Sequence, residues 1–209
     1  MKNLIMNNKA ILIAAAMLAS LSGCALTPVN IDLAYQPQQG VVQISEASKV
    51  TVAVQVKDDR KDKSRVGSKT NNYGKELAAI QTNEDVAVTV RHAIEQELHD
   101  RGFRSGTDAT VNIVADITKF YNKYTTTFWS LSITVPGAAD LDMSVAVKSK
   151  NGDLLYSKKL AVQAVKTDNL LMGGDNAKII LDKALANAMK TLFNDKAFIA
   201  ALMASTTSN

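Results

Sequence analysis

Leu141-Asp142-Met143-Ser144-Val145-Ala146-Val147-Lys148-Ser149-Lys150-Asn151-Gly152-Asp153-Leu154-Leu155-Tyr156 is the stretch whose reading decides the fold. Leu141, Met143, Val145 and Val147 fall on every second residue, the period of a strand with one apolar face. Asn151-Gly152 supplies the backbone that a tight turn between two such runs requires. Leu154, Tyr156, Leu160 and Val162 continue beyond it. Short connections of this kind favour strands that neighbour one another in an antiparallel meander.

Working outward, Val111, Ile113, Ala115 and Ile117 share one face of an earlier strand. Trp129, Leu131, Ile133 and Val135 alternate with Ser130, Ser132 and Thr134 until Pro136-Gly137 breaks the pattern. Val50, Val52, Val54 and Val56 alternate with smaller and polar residues in the first clear strand. Two main helices are interleaved. Thr82 begins one, with Glu84 and Asp85 suited to its positive end. Its stripe is Val86, Val90, Ala93, Ile94 and Leu98; Gly102 ends it, and Phe103 packs beneath. The other follows Gly173-Gly174-Asp175, capped by Asp175 or Asn176. Its apolar face is Ala177, Ile180, Leu181, Ala184, Leu185, Ala188, Met189 and Leu192. A short helix over 195–203 and a frayed tail over 205–209 complete the chain. Strands in succession between helices predict an α+β fold. The expected form is a two-layer sandwich: a mainly antiparallel sheet of four to five strands with two main helices on one face. Residues 49–204 make that single domain.

Ahead of it, Lys2 and Lys9 head an apolar run over 10–21 that ends in Leu21-Ser22-Gly23-Cys24. This has the form of a bacterial lipoprotein signal. Signal peptidase recognises Leu21, Ser22 and Gly23, cleaves before Cys24, and lipid occupies the thiol and the new amino group. The run holds about a dozen apolar residues, whereas a spanning helix needs about 20. Cys24 is the chain's one cysteine, and acylation removes the hazard of an odd thiol in an exported protein. Residues 1–23 are then the signal peptide, and 24–48 the lipidated N-terminus and a tether. Val29, Ile31 and Leu33 suggest a brief strand within it, broken by Pro37 and Gly40. Fully extended, such a tether reaches about 80 Å at about 3.3 Å per residue.

The chain carries 24 Lys plus Arg and 20 Asp plus Glu, a net charge of +4. Lys2 and Lys9 leave with the signal peptide, which holds no acid, so 22 basic against 20 acidic residues give the mature chain +2. A charge this small argues against nucleic acid as a partner.

The candidate sites are few. Lys57-Asp58-Asp59-Arg60-Lys61-Asp62-Lys63-Ser64-Arg65 mixes both signs and reads as a solvated loop. Its cations interrupt the acids that a calcium loop would need at set spacings. Gly67-Ser68-Lys69-Thr70 lacks the first glycine of a phosphate-binding loop. His92, Glu95 and His99 share a helix face, but the histidines stand two turns apart, about 10 Å by rise, too far for one metal. No catalytic, cofactor or metal set is expected. Phe120, Tyr121, Tyr124, Phe128 and Trp129 gather five of the chain's eleven aromatics near one hairpin. They read either as core and hairpin tip or as an exposed contact patch for lipid or protein.

The chain resembles the YajG-type lipoproteins of the bacterial outer membrane. The resemblance rests on Leu21-Ser22-Gly23-Cys24, on the strand ending in Asp58-Asp59-Arg60, and on Leu98-His99-Asp100-Arg101-Gly102-Phe103. Val111-Asn112-Ile113, Asn151-Gly152 and the long last helix also match. A longer loop over 61–73 and the aromatic hairpin depart from the family pattern. The resemblance carries no enzymatic activity with it. Ala25 after the cysteine, where enterobacterial-type lipoproteins kept at the inner membrane have Asp, implies sorting to the outer membrane.

The expectation is a lipoprotein held in the outer membrane by acyl chains on Cys24. It faces the periplasm and carries a non-catalytic binding or scaffold domain for an envelope protein or lipid. The alternative is an accessory lipoprotein of an envelope lipid or lipopolysaccharide transport system. An enzyme would require a base or nucleophile with an oriented partner, which His92 and His99 on one helix do not provide.

Overall fold

The computed structural model describes residues 27–70, 75–124, 137–166 and 174–204. In chain order these form β1 (Val29–Ile31), a 3-10 turn (Ala47–Lys49), β2 (Thr51–Asp58), β3 (Gly67–Thr70), β4 (Glu76–Thr82) and α1 (Val86–Asp100). Then come β5 (Arg104–Ser105), β6 (Val111–Tyr124), β7 (Gly137–Ser149), β8 (Leu154–Lys166), α2 (Gly174–Phe193) and α3 (Lys196–Met203). The strands join one eight-stranded sheet. This corrects the expected four to five strands, and the sheet is mixed. β3–β4, β6–β7 and β7–β8 are antiparallel, whereas β1–β4, β2–β5, β2–β6 and β3–β6 are parallel. The missed strands are short: Gly67-Ser68-Lys69-Thr70 has no apolar alternation, and its pairing partners supply the order that its side chains do not specify.

β6 and β7 are the spine, paired from Val111↔Ser149 to Tyr124↔Gly137. Fourteen residues of strand run about 45 Å at about 3.3 Å each. The other side of β6 has two neighbours in turn. β2 pairs with its first half, from Val52↔Val111 to Asp58↔Ile117. β3 pairs with its end, Gly67↔Asn122 and Ser68↔Lys123. The sheet thus forks along β6, and the β6–β7 register shifts between Ile117 and Lys119, where the neighbours change. A Cβ on Gly67 would lie 3.0 Å from the Asn122 carbonyl oxygen, so the close β3–β6 approach favours glycine there.

One face of the sheet is covered. Val111, Ile113, Ala115 and Ile117 of β6 are buried, as are Leu141, Met143, Val145 and Val147 of β7 and Tyr156, Leu160 and Ala164 of β8. α1 and α2 place the expected stripes on them, and α3 adds Phe198, whose ring meets Tyr156 edge-on at 5.5 Å and Phe193 at 5.3 Å. Each fully buried Leu, Ile or Phe contributes about 1.5–3 kcal/mol of transfer free energy. The shift in β6 exchanges inward and outward positions, because strand side chains alternate with period two. Odd residues point inward before it, and Phe120 and Asn122 point inward after it.

The caps refine the helix limits. Thr82 belongs to β4, and Asp85 caps α1 by accepting the Ala87 N–H at 2.8 Å. Asp195 caps α3 the same way through Ala197, at 2.9 Å. At the β7–β8 turn, Gly152 has φ +93°, a backbone state open to glycine, and donates to Ser149 O at 3.0 Å.

The N-terminal segment departs most from expectation. β1 lies beside β4, Ile31 and Ala47 are buried, and Val29, Leu33, Tyr35 and Ile44 pack on the core. Residues assigned to a tether are therefore domain from Val29 onward, because their apolar side chains have a core to enter.

Candidate functional site

Two buried ionic assemblies are the strongest electrostatic features. The first fills the fork in the sheet. β2 delivers Asp58 and the following turn delivers Arg60, with 5% and 6% exposure. Arg60 Nε donates to Asp58 Oδ1 at 2.9 Å and Nη2 to Oδ2 at 2.8 Å. Nη1 donates to the carbonyls of Arg65 (2.9 Å) and Phe120 (3.2 Å), and Nη2 also to that of Lys63 (3.2 Å). A guanidinium has five N–H groups, and all are used. Burial works to raise the Asp58 pKa, but the side-chain and backbone donors of Arg60 prevail and hold it below the usual carboxylate range. Only part of the charged loop is therefore solvated. Its Asp58 and Arg60 form a closed plug that satisfies carbonyls where β2 leaves β6.

The second assembly sits under the N-terminal segment. Glu97 is completely buried on α1. Its Oε1 accepts from the Tyr35 hydroxyl and from Gln38 N at 3.1 Å. Oε2 accepts from Gln38 Nε2 at 2.8 Å and from Arg101 Nη1. Arg101 also covers the Phe193 ring of α2, 4.6 Å from its centroid. Burial, then the Glu97 carboxylate, raise the Tyr35 pKa, so the phenol stays a donor. Ala34 N donates to Asp182 Oδ1 at 2.9 Å and Ile44 N to Arg101 O at 3.0 Å. Residues 32–44 are thus a strap across α1 and α2. Sequence reasoning missed it, although Glu97 and Arg101 on the buried side of a helical stripe were a signal that a polar partner must meet them.

The remaining candidates separate. Phe120, offered as part of a contact patch, is 1% exposed and belongs to the core, because the register shift turns it inward. Tyr121 lies on the opposite face and donates to Ser68 Oγ at 2.9 Å. Tyr124 ends β6. Phe128 and Trp129 lie outside the described residues, as do Leu21, Ser22, Gly23 and Cys24. His92 and His99 are exposed on α1. Among the described residues no cluster of His, Cys, Asp and Glu could hold a metal. Lys119 pairs with Asp140 at 2.6 Å, and Arg65 with Glu76 at 2.8 Å. An open hollow of about 400 Å³ lies between the strap (Leu33, Tyr35, Pro37) and Glu84 with Thr89, His92 and Gln96 of α1.

A closed core, a strap that secures the chain's N-terminal side, and the partnered buried charges of Asp58, Arg60, Glu97 and Arg101 describe a compact domain. A family model described as "Uncharacterized lipoprotein" matches residues 37–203. The chain belongs to this family of uncharacterised lipoproteins, in keeping with its resemblance to the YajG type. No curated protein matches. Among solved structures, protein XCC0632 from Xanthomonas campestris shares the fold with TM-score 0.60 and 12% identity, covering 86% of this chain and 99% of its own. The minor lipoprotein from Acinetobacter baumannii is more distant, with TM-score 0.41 and 6% identity, covering 75% and 92%. Among the described residues no helix is long and apolar enough to cross a membrane.

Proposed function

We propose that this is an outer-membrane lipoprotein, acylated at Cys24, whose domain faces the periplasm and serves as a non-catalytic binding or scaffold module. The observation that carries this reading is the strap. It holds the chain against α1 and α2 from residue 32 onward, a short way after Cys24 in sequence. The engagement of Arg60 and Glu97 by structural partners supports the non-catalytic part, because neither has a donor or acceptor directed at a substrate. Outer-membrane sorting is supported by Ala25.

The test is fractionation of cells expressing Cys24→Ser and Ala25→Asp. The first variant is expected in the soluble periplasmic fraction and the second at the inner membrane. A Cys24→Ser protein that still pellets with outer membranes defeats the anchor. In-cell crosslinking followed by pull-down addresses the partner. Recovery of one envelope protein supports the scaffold reading, whereas lipid or transport components captured from position 129 replace it with the transport-accessory one.

A further inference from the structure

We propose that the free edge of β8 is a docking strip for an extended acidic segment of a partner protein, which joins the sheet as a further strand. The inference rests on the reading of the domain as a binding module, and it names the surface and the class of partner. Among the described residues β8 pairs with β7, and no strand pairs with its other side. It is thirteen residues long, whereas the sheet's other two ends, β1 and β5, have three and two. In an antiparallel ladder the N–H and C=O of one residue point to the same side, and the side alternates along the strand. Ala138 O accepts from Asn122 Nδ2 and Asp142 O from Thr118 Oγ1, so these β7 residues turn their backbone toward β6. Their partners on β8, Val165 and Ala161, therefore turn theirs away from β7. Lys183 Nζ of α2 reaches the Val165 carbonyl at 3.3 Å, as an outward carbonyl allows. By alternation Ser157, Lys159 and Gln163 face the same way. The strip over 157–165 runs about 27 Å at about 3.4 Å per residue.

The side chains around the strip choose the partner. β8 holds Lys158, Lys159 and Lys166 and no acid. Lys183 and Lys190 are exposed on α2, about two turns apart and so on one side of the helix. Lys190 and Lys196 share with Lys158 an open hollow of about 610 Å³ at the α2–α3 corner. Asp195 in that hollow is engaged by Lys158 at 2.7 Å, and Asp140 and Asp142 of β7 act on Lys119 of β6. Lysines on an edge strand oppose pairing with a second copy, whose β8 would bring the same three cations. Opposite charges on neighbouring strands attract where like charges repel, so the same lysines favour an acidic strand. Main-chain hydrogen bonds then supply affinity and the lysines selectivity.

The test uses the full chain in a nonionic detergent and fluorescent peptides of about nine residues, the length of the strip, alternating Glu and Val. Fluorescence anisotropy measures binding. The Glu peptide is expected to bind and its Lys counterpart to bind far more weakly. A Glu peptide with alternate amides N-methylated should lose most of its affinity, since it cannot complete a ladder. Ala161→Pro, placed where the N–H faces away from β7 and an edge strand tolerates proline, should weaken the Glu peptide several-fold. Lys159→Glu combined with Lys183→Glu, two exposed changes that leave the backbone intact, should do the same. Undiminished binding of the N-methylated peptide to the unaltered chain, or of the Glu peptide to folded Ala161→Pro, shows a contact by charge without strand addition and overturns the proposal. A chain that self-associates in sedimentation and becomes monomeric on Ala161→Pro carries a second copy on this edge, which also overturns it. Absence of binding by the Glu peptide removes this surface alone, because the binding-module reading is tested separately by the in-cell crosslinking.

Discussion

Arg60 shows how much one side chain can carry in this protein. It neutralises Asp58 and caps three carbonyls at the point where the sheet divides. Removing one member of a buried pair strands the other, so Arg60→Ala is expected to lower unfolding free energy by about 3–5 kcal/mol. Arg60→Lys should recover little, since an ammonium cannot span the same acceptors. Urea denaturation measures both, and a loss below about 1 kcal/mol would mean that the fork closes without the plug. Asp195 gives a pH-dependent counterpart. Lys158 at 2.7 Å, then the Ala197 N–H and the Tyr156 hydroxyl, depress its pKa to about 2. A carboxyl with a depressed folded pKa adds stability that is fully present above its unfolded value, 3.8, and lost as pH falls toward about 2. Asp195→Asn keeps a capping oxygen, so its thermal stability should trail the parent at neutral pH and converge with it near the folded pKa. An unchanged gap under acid conditions would show that the Asp195 charge does not carry the difference.

At the scale of elements, the strap is the testable unit. Tyr35→Phe removes one donor from a buried carboxylate, a hydrogen bond to a charged group worth about 1.5–3 kcal/mol. Hydrogen exchange should then quicken at Ala34, Gln38 and Ile44, whose amides bond to Asp182, Glu97 and Arg101. The interior of α1 should change less. Uniform acceleration across the domain would show that the strap has no independent opening. The elements also show what periodicity reveals. β2, β7, β8, both main helices and the short last helix were legible, because each has one buried face and a matching period. β3 and β4 were not. Gly67-Ser68-Lys69-Thr70 owes its strand form to its pairing with β4 and with the end of β6. The strap was hidden for a related reason: Tyr35 and Gln38 acquire meaning only when Glu97, some sixty residues away, is placed beneath them.

Across the whole molecule, the long β6–β7 hairpin sets a length, and the strap sets where the N-terminal side joins it. Residues from Val29 onward belong to the domain, through the pairing of β1 with β4 and the packing of Ile31, Leu33 and Tyr35 on the core. The lipoprotein family is shown over residues 37–203, and the proposed acylation signal, Leu21-Ser22-Gly23-Cys24, is a run of contiguous residues that needs no fold to be read. By itself the sequence determined the helix stripes and the strands around Asn151-Gly152, since these depend on neighbours within a few positions. Only the tertiary structure decided the forked mixed sheet, the inward turn of Phe120, and the burial of Asp58, Arg60 and Glu97. Strand partners, register shifts and the desolvation that makes a buried charge seek its mate all depend on residues brought together from distant parts of the chain.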